Sequence, residues 1–138
     1  MASVQTIVYP LPPTLNKIIS SARRSIYASS SEKRKWTQEL ALMSSALQPY
    51  GENKVWLCFN WRVFNENRDP DNIAAAAKYI MDGLVAAGVL PDDSLRYIGS
   101  PVLHYYDKAE KWEDRCELTI STYPPVVTWH QFDSHSFN

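Results

Sequence analysis

The chain contains one long aromatic and β-branched stretch, Val55-Trp56-Leu57-Cys58-Phe59-Asn60-Trp61-Arg62-Val63-Phe64. Successive side chains of a β-strand point to opposite faces, so every second residue of this stretch shares a face. One of the two faces is entirely apolar and consists of Val55, Leu57, Phe59, Trp61 and Val63. This alternation, together with the enrichment in residues that favour pleated structure, predicts a strand that covers the hydrophobic core.

The residues before this strand predict a further strand, a loop and a helix. Residues 4–9 are β-branched and aromatic, and the prolines that follow end this first strand because proline has no N–H to donate. Residues 14–31 are polar, basic and rich in serine, which predicts a long loop. Ser29 and Glu32 have the spacing of a capping box, and they predict the start of a helix that stops near Pro49. The apolar stripe of this helix consists of Trp36, Leu40, Met43 and Leu47.

The residues after the strand predict a second helix and two more strands. The helix covers about residues 72–87, with Gly88 as the residue that ends it. Residues 96–106 predict an interrupted strand and residues 115–122 an alternating one, and the polar segment 107–114 predicts a hairpin between them. The inward residues are Ile73, Ala77, Ile80 and Leu84 of the helix, and Cys116, Leu118 and Ile120 of the last strand.

The resulting order of elements is β-α-β-α-β-β. It predicts an α+β fold, a two-layer sandwich in which two main helices cover a mixed sheet. The chain has 138 residues, of which 45% are hydrophobic and 21% charged, enough for one globular domain with its own core. We assign this domain to residues 1–122, and expect residues 123–138 to form a C-terminal extension that packs on a partner or is partly disordered.

The cysteines and the hydropathy pattern bear on the compartment. Cys58 and Cys116 each lie in an apolar, strand-like run without a CxxC pair, and we expect both to be reduced core residues. The chain has no apolar run of 18 residues and no secretion signal at its start. These features favour a cytoplasmic protein that has no membrane partner.

The formal net charge is −1, but it is unevenly distributed along the chain. Residues 1–35 carry six basic residues against Glu32 alone, whereas the remaining residues carry eight basic and fourteen acidic ones. A basic first quarter suits a phosphate backbone, and the alternative is a chance distribution on a solvated surface. Three of the basic residues fall in the first turn of the first predicted helix, where the macrodipole disfavours cations unless an anion is near. The six are Lys17, Arg23, Arg24, Lys33, Arg34 and Lys35.

Carboxylates are grouped at both ends of the second predicted helix. The segment Arg68-Asp69-Pro70-Asp71-Asn72 precedes the helix, and Asp92-Asp93 follows it. Carboxylate oxygens are ligands that Mg²⁺ prefers, and a bound metal can orient water and stabilise the leaving oxygen of a phosphodiester. The alternative is structural, with Asp71 or Asn72 as a helix N-cap and the later pair in a turn.

Within that helix, Lys78 and Asp82 share a face with Asp71 if the helix is continuous. Two interpretations of Lys78 remain open. It forms an exposed ion pair with Asp82 one turn away, or it is a cation beside the carboxylates that meets a phosphate.

Taken together, these motifs resemble the RusA family of Holliday junction resolvases, small endonucleases common in bacteriophages and prophages. The resemblance covers about residues 7–122. It implies a homodimeric α+β fold that binds four-way DNA junctions and nicks two strands symmetrically with Mg²⁺ or Mn²⁺. The motifs that carry it are Pro12-Pro13-x-x-Asn16, Arg68-Asp-Pro-Asp-Asn72, Lys78-x-x-x-Asp82-Gly-Leu84 and Ala87-Gly-Val-Leu-Pro-Asp-Asp93.

The resemblance also implies roles for single residues. Asp69 and Asp71 match the family's first two metal-binding aspartates, and Asp93 matches the third, with Asp92 as the alternative. The family's functional lysine matches Lys78 when counted back from Asp82, but its place falls three residues earlier when counted forward from Asp71. A lysine in this role stabilises the charge that develops on phosphorus.

The six basic residues of the first quarter would neutralise junction phosphates, with Asn16 and Lys17 close to the site. Tyr27 and Trp36 are candidates for stacking on an unpaired base, although Trp36 lies on the apolar stripe and also suits the core. The alternative function from another class is a protein that binds branched DNA without cleaving it.

Overall fold

The computed structural model describes residues 3–24 and 26–126. These residues form four strands and four helices around one sheet. In chain order the elements are β1 (Val4–Pro10), α1 (Leu15–Arg24), α2 (Ile26–Ser44), β2 (Trp56–Val63), α3 (Pro70–Ala74), α4 (Ala77–Ala86), β3 (Leu103–Lys108) and β4 (Arg115–Ser121).

The sheet is mixed, with the strand order β1-β4-β2-β3. Its central strand β2 runs antiparallel to β4 and parallel to β3, and β4 runs antiparallel to β1. The prediction of a hairpin between β3 and β4 is therefore wrong, because β2 lies between them. Strands in a sheet are about 4.8 Å apart, so a short polar connection can step over one strand as well as turn tightly. The polarity of residues 107–114 does not distinguish these two cases.

The hydrophobic core lies between one face of the sheet and the helices α2 and α4. The inward residues predicted for β2 and β4 are all buried, and Leu40 of α2 meets Ile80 and Leu84 of α4 in the same cluster. The two helices approach closely at Gly83, where an added Cβ atom would lie 2.8 Å from the Cβ atom of Leu40. The α+β class, with a mixed sheet and two main helices, is confirmed.

The long loop predicted for residues 14–31 is wrong, because this segment forms α1 and the first part of α2. Its apolar residues Leu15, Ile18, Ile19 and Ala22 have helical spacing, a signal hidden by the many serine and basic residues around them. Ser29 lies inside α2, so it is not the N-cap. The basic residues 33–35 lie beyond the first turn of α2, so the argument from the helix macrodipole does not apply to them.

The single helix predicted for residues 72–87 is divided into α3 and α4. Backbone hydrogen bonds at the division span three residues, from the Ala76 N–H to the Ile73 carbonyl (3.0 Å) and from the Tyr79 N–H to the Ala76 carbonyl (3.2 Å). The predicted inward residues of both helices are nevertheless buried. Gly88 has a φ of +75° and ends α4 as predicted, since glycine adopts this conformation without steric cost.

The sheet face opposite the helices carries the alternate side chains of every strand. Cys58 lies on this face and is half-buried, whereas Cys116 is buried in the core, so the prediction of two core cysteines holds for Cys116 alone. Both thiols are free. At the β1 edge of the sheet, the Thr122 N–H donates to the Ser3 carbonyl at 2.9 Å.

In the described part of the chain, no helix is both long and apolar enough to cross a membrane. Of the predicted C-terminal extension, residues 123–126 are described, and Tyr123 and Val126 are exposed. The expectation for residues 127–138 lies outside the described residues.

Candidate functional site

The segment Arg68–Asn72 connects the central strand to α3 and places two carboxylates at the protein surface. Asp69 is the N-cap residue of α3, but its side chain makes no capping hydrogen bond. Asp71 lies in the first turn of α3, and its Oδ1 atom accepts the N–H of Asn72 at 3.0 Å. The alternative that Asp71 or Asn72 is the N-cap is thus wrong. Because the Asp69 carboxylate is exposed and not used for capping, its oxygens are available to a ligand.

A surface cavity of about 500 Å³ joins this segment to the basic N-terminal region. Lys17 of α1 and Arg68 line the cavity together with Asp69, so two cations and a carboxylate face one space. α1 also contacts α3, which positions Lys17 near the motif even though Lys17 and Arg68 are 51 positions apart in the sequence. The remaining lining residues are Thr14, Asn65, Asn67 and Asn72.

Arg68 is held in place by an acidic residue from the connection between β3 and β4. Its Nη1 atom lies 3.5 Å from Oδ2 of Asp114. The other carboxylate oxygen of Asp114 accepts the backbone N–H of Phe64 at 2.8 Å. Asp114 therefore ties the end of β2 to the loop that carries the acidic motif.

Lys78, near the start of α4, pairs with two carboxylates, one within the helix and one beyond its end. Its Nζ atom lies 2.9 Å from Oδ1 of Asp82 and 2.9 Å from Oδ2 of Asp93. The hydrogen bond to Asp93, followed by the one to Asp82, raises the pKa of Lys78, and the same lysine lowers the pKa of Asp93. Lys78 is thus a stable ammonium, and Asp93 is a stable carboxylate that is already neutralised by a neighbour.

The division between α3 and α4 removes the basis for placing Asp71 on the same face as Lys78 and Asp82, because that arithmetic needs a continuous helix. The negative charge of Asp71 acts instead on the pKa of a tyrosine of β3. Burial, and after it the negative charge of Asp71, raises the pKa of Tyr106 on β3. The structure therefore brings Lys78 together with Asp82 and Asp93.

The predicted metal ligands fit a magnesium ion by their chemistry, since all three are carboxylates and Mg²⁺ takes oxygen ligands. Their positions do not form a ready site. Within residues 3–24 and 26–126, no three His, Cys, Asp or Glu side chains form a group that could hold a metal ion. Lys78 holds Oδ2 of Asp93, so Asp93 would serve as the third ligand through its other carboxylate oxygen or after leaving Lys78. Asp92, the alternative third ligand, is exposed.

The other predicted DNA-binding residues lie on α1 and α2. The side chains of Arg23, Lys33, Arg34 and Lys35 are exposed, and Arg24 belongs to α1 although its side chain lies outside the described residues. The side chains of Asn16 and Tyr27 also lie outside them. Trp36 packs against the core, as its place on the apolar stripe indicates.

Two functional candidates were not found in the sequence. Asp114 has no motif around it and gains its position through the fold. Trp112 is 87% exposed in the connection between β3 and β4, and only its place in a polar segment could have singled it out.

No protein-family model matches this chain, and no curated protein matches its sequence. The function proposed below therefore rests on this chain's own residues. They place carboxylates of an acidic motif beside basic helices, in a mixed α+β fold.

Proposed function

We propose that this chain is a metal-dependent, structure-selective endodeoxyribonuclease of the RusA type. It would resolve Holliday junctions, four-way DNA structures, by paired hydrolytic nicks of phosphodiester bonds during DNA recombination and repair. The observation that supports this most is the shared cavity of Lys17, Arg68 and Asp69. Cations attract the phosphate backbone, whereas a carboxylate beside them repels it unless a bound metal cation neutralises the carboxylate.

Asp69, Asp71 and Asp93 would hold Mg²⁺ or Mn²⁺, which when bound supplies an activated water and stabilises the leaving oxygen. Lys17 and Arg68 would bind the phosphates that flank the scissile bond. Asp114 would keep Arg68 oriented through its ion pair. Lys78 would stabilise negative charge on phosphorus, because a lysine ammonium is cationic at neutral pH.

The remaining basic residues would extend the contact with DNA. Arg23, Arg24, Lys33, Arg34 and Lys35 lie on α1 and α2, and α1 packs beside both α2 and α3. Each phosphate contact of this kind adds affinity that falls as the salt concentration rises. These residues would position the DNA without reading its sequence.

Paired nicks in two strands require two copies of the site. A four-way junction has two equivalent strands to cut, and a homodimer with twofold symmetry matches that arrangement. We therefore include a homodimer in the proposal, acting in the cytoplasm of a bacterial host cell and encoded by a phage or prophage.

One observation favours a second candidate, a protein that binds branched DNA without cleaving it. Lys78 neutralises Asp93, and the described side chains form no three-ligand group. The exposed carboxylates of Asp69 and Asp71 count against this candidate, since they would repel phosphates unless a cation neutralised them.

The two candidates differ in one assay. The protein is incubated with a mobile four-way junction, a Y-shaped fork and a linear duplex, each in Mg²⁺, Mn²⁺ or EDTA. The nuclease proposal expects paired, metal-dependent nicks on the junction alone. A protein in which Asp69, Asp71 and Asp93 are all changed to Asn controls for contaminating nucleases. Junction binding without nicks in either metal would contradict the nuclease and support the second candidate.

A further inference from the structure

Two exposed aromatic rings line a groove outside the acidic cavity. Phe64, just after β2, is 43% exposed, and Trp112, in the connection between β3 and β4, is 87% exposed. Together with Asn65, Lys111 and Asp114 they line one surface cavity of about 350 Å³. We call it the Phe64–Trp112 groove. Folding would bury rings of this size where it could, so two of them open to solvent in one groove mark a binding surface.

Each ring has a lysine above it. The Nζ atom of Lys108 lies 5.1 Å from the centroid of the Phe64 ring, and that of Lys111 lies 5.2 Å from the centroid of the Trp112 ring. Lys108 also pairs with Glu66 at 3.3 Å. With an ammonium over one face of each ring, a nucleotide would stack its base on the opposite face while its phosphate meets the cation.

The backbone at Trp112 favours the same interpretation. Its φ is +70°, in the left-handed region that bulky side chains rarely adopt. Asparagine or glycine would suit this turn better, yet the chain keeps a tryptophan there and presents its ring to solvent. Unfavourable backbone conformations that persist in this way are concentrated at functional positions.

The groove is continuous with the candidate site through two residues. Asn65 lines both the groove and the cavity of Lys17 and Asp69. Asp114 lines the groove, accepts the Phe64 N–H and pairs with Arg68. A strand whose phosphate lies at Arg68 would therefore have a neighbouring base within reach of the rings.

We propose that the Phe64–Trp112 groove stacks an unpaired nucleobase of a DNA strand at a branch point. This inference rests on the proposed function for its choice of DNA, and concerns binding alone. Stacking accepts any base, since each has an aromatic face, so the groove distinguishes unpaired from paired bases and not one sequence from another. In a duplex the bases are already stacked and do not enter it.

The test uses the full chain in EDTA, so that cleavage does not interfere. The probes are a single strand with 2-aminopurine in the middle, a junction with one unpaired 2-aminopurine at its crossover, and a matched duplex. Trp112→Asn is the test variant, since asparagine tolerates the turn and leaves the fold intact. Tyr123→Asn removes another exposed aromatic residue outside the groove and is the matched control.

Wild type and Tyr123→Asn should quench the unpaired 2-aminopurine. Trp112→Asn should not quench it, and should bind the single strand and the junction about 5- to 150-fold more weakly. Duplex binding should change less than twofold. Unchanged single-strand binding by Trp112→Asn, or an equal loss on the duplex, would overturn the inference. So would a wild-type dimer that becomes a monomer in Trp112→Asn by sedimentation, because the groove would then be a contact between copies.

The outcomes separate this inference from the proposed nuclease. If the chain nicks junctions in Mg²⁺ but Trp112→Asn binds the single strand like the wild type, the groove is wrong and the nuclease stands. If Trp112→Asn loses single-strand binding while no metal supports nicking, the groove stands and the nuclease is wrong.

Discussion

The helices α3 and α4 come from one stretch of sequence but differ in length, in burial and in the pairing of their charged residues. α3 has five residues, buries only Ile73 and exposes Asp71, and its N-cap residue Asp69 is exposed as well. α4 has ten residues, buries five of them and holds Lys78 between two aspartates. The longer helix α4 packs on the core, and its charged residues pair with one another or with Asp93. The shorter helix α3 presents an exposed carboxylate that forms no ion pair with a described residue. The site therefore combines a well-packed helix with exposed carboxylates that are open to a ligand.

The largest expected effect is the loss of junction nicking when a carboxylate of α3 is changed. Asp71→Asn should leave junction binding in EDTA intact and lower the rate of junction nicking by roughly 100-fold or more, the order seen when a group that stabilises transition-state charge is lost. The measurement is single-turnover cleavage of a labelled junction. Glu39→Gln, which removes an exposed carboxylate from α2, serves as the control. Normal cleavage by Asp71→Asn would show that Asp71 does not take part in the reaction.

The next effect should be on stability and confined to α4. Gly83→Val places a side chain where even a Cβ atom would lie 2.8 Å from Leu40, so it should lower the free energy of unfolding by about 1–3 kcal/mol. Urea unfolding followed by circular dichroism measures it. Ala86→Val adds a similar side chain at an exposed position of the same helix and should change the stability by less than about 0.5 kcal/mol. Equal effects of the two changes would mean that α4 is not held by close packing on α2.

Lys78→Met removes the ammonium that pairs with Asp93. The Asp93 carboxylate would then lack a cation, like the carboxylate of Asp71 on α3. If Asp93 is a metal ligand, removal of the competing ammonium should tighten binding of Mn²⁺ about two- to five-fold, the range expected for one solvent-exposed ion pair. Electron paramagnetic resonance of free Mn²⁺ measures this affinity. Lys54→Met is the control, since Lys54 is an exposed lysine before β2. An unchanged affinity in Lys78→Met would argue that Asp93 does not bind the metal.

The smallest effect should appear as a pH dependence of stability. Lys78 lowers the pKa of Asp93 in the folded chain, so the unfolded chain binds this proton more readily. The stabilisation is complete above the ordinary aspartate pKa of about 3.9 and is lost as the pH falls through the lower folded value. Because the lysine is largely exposed, it amounts to about 0.2–1 kcal/mol.

Wild type should therefore be slightly more stable than Asp93→Asn at pH 6, and the difference should shrink below about pH 4. Urea titrations at several pH values give both free energies of unfolding. In a Lys78→Met background the same Asp93→Asn change should give a smaller pH-dependent difference, because the cation that lowers the pKa of Asp93 is gone. A constant difference between wild type and Asp93→Asn down to pH 2 would contradict the assignment.

Alternation and helical spacing predicted most of the residues that face the core. Met43 is the exception, because it was placed on the apolar stripe of α2 but is 37% exposed, whereas its neighbour Ser44 is buried. The strand around Phe59, the last strand around Leu118 and the inward side of α4 follow from which residues must leave water. Three predictions failed where local pattern does not decide. Serine and basic residues concealed α1, the division at Ala75–Ala76 has no helix-breaking residue, and strand order depends on partners distant in sequence.

The candidate site was predictable as a set of residue types and not as an arrangement. Carboxylates at both ends of the predicted helix suggest metal binding. The resemblance to the RusA family then selects Asp69, Asp71 and Asp93 among them. The pairing of Lys78 with Asp93 depends on the chain reversal after Gly88, which brings together residues 15 positions apart. The sequence alone therefore does not show that the third carboxylate is already neutralised by a lysine.

The pairing of β1 with β4 has a consequence for how the chain folds. The register joins Gln5 to Ile120 and Ile7 to Leu118, so one edge of the sheet closes only after nearly the whole described chain has been made. Pairings so distant in sequence slow folding, since the entropy of loop closure opposes them before they contribute. Ser3 and Thr122 already share a hydrogen bond. A circular permutant that links these two residues by a short loop and opens the chain after Gly51 would make this pairing local and fold faster into the same sheet.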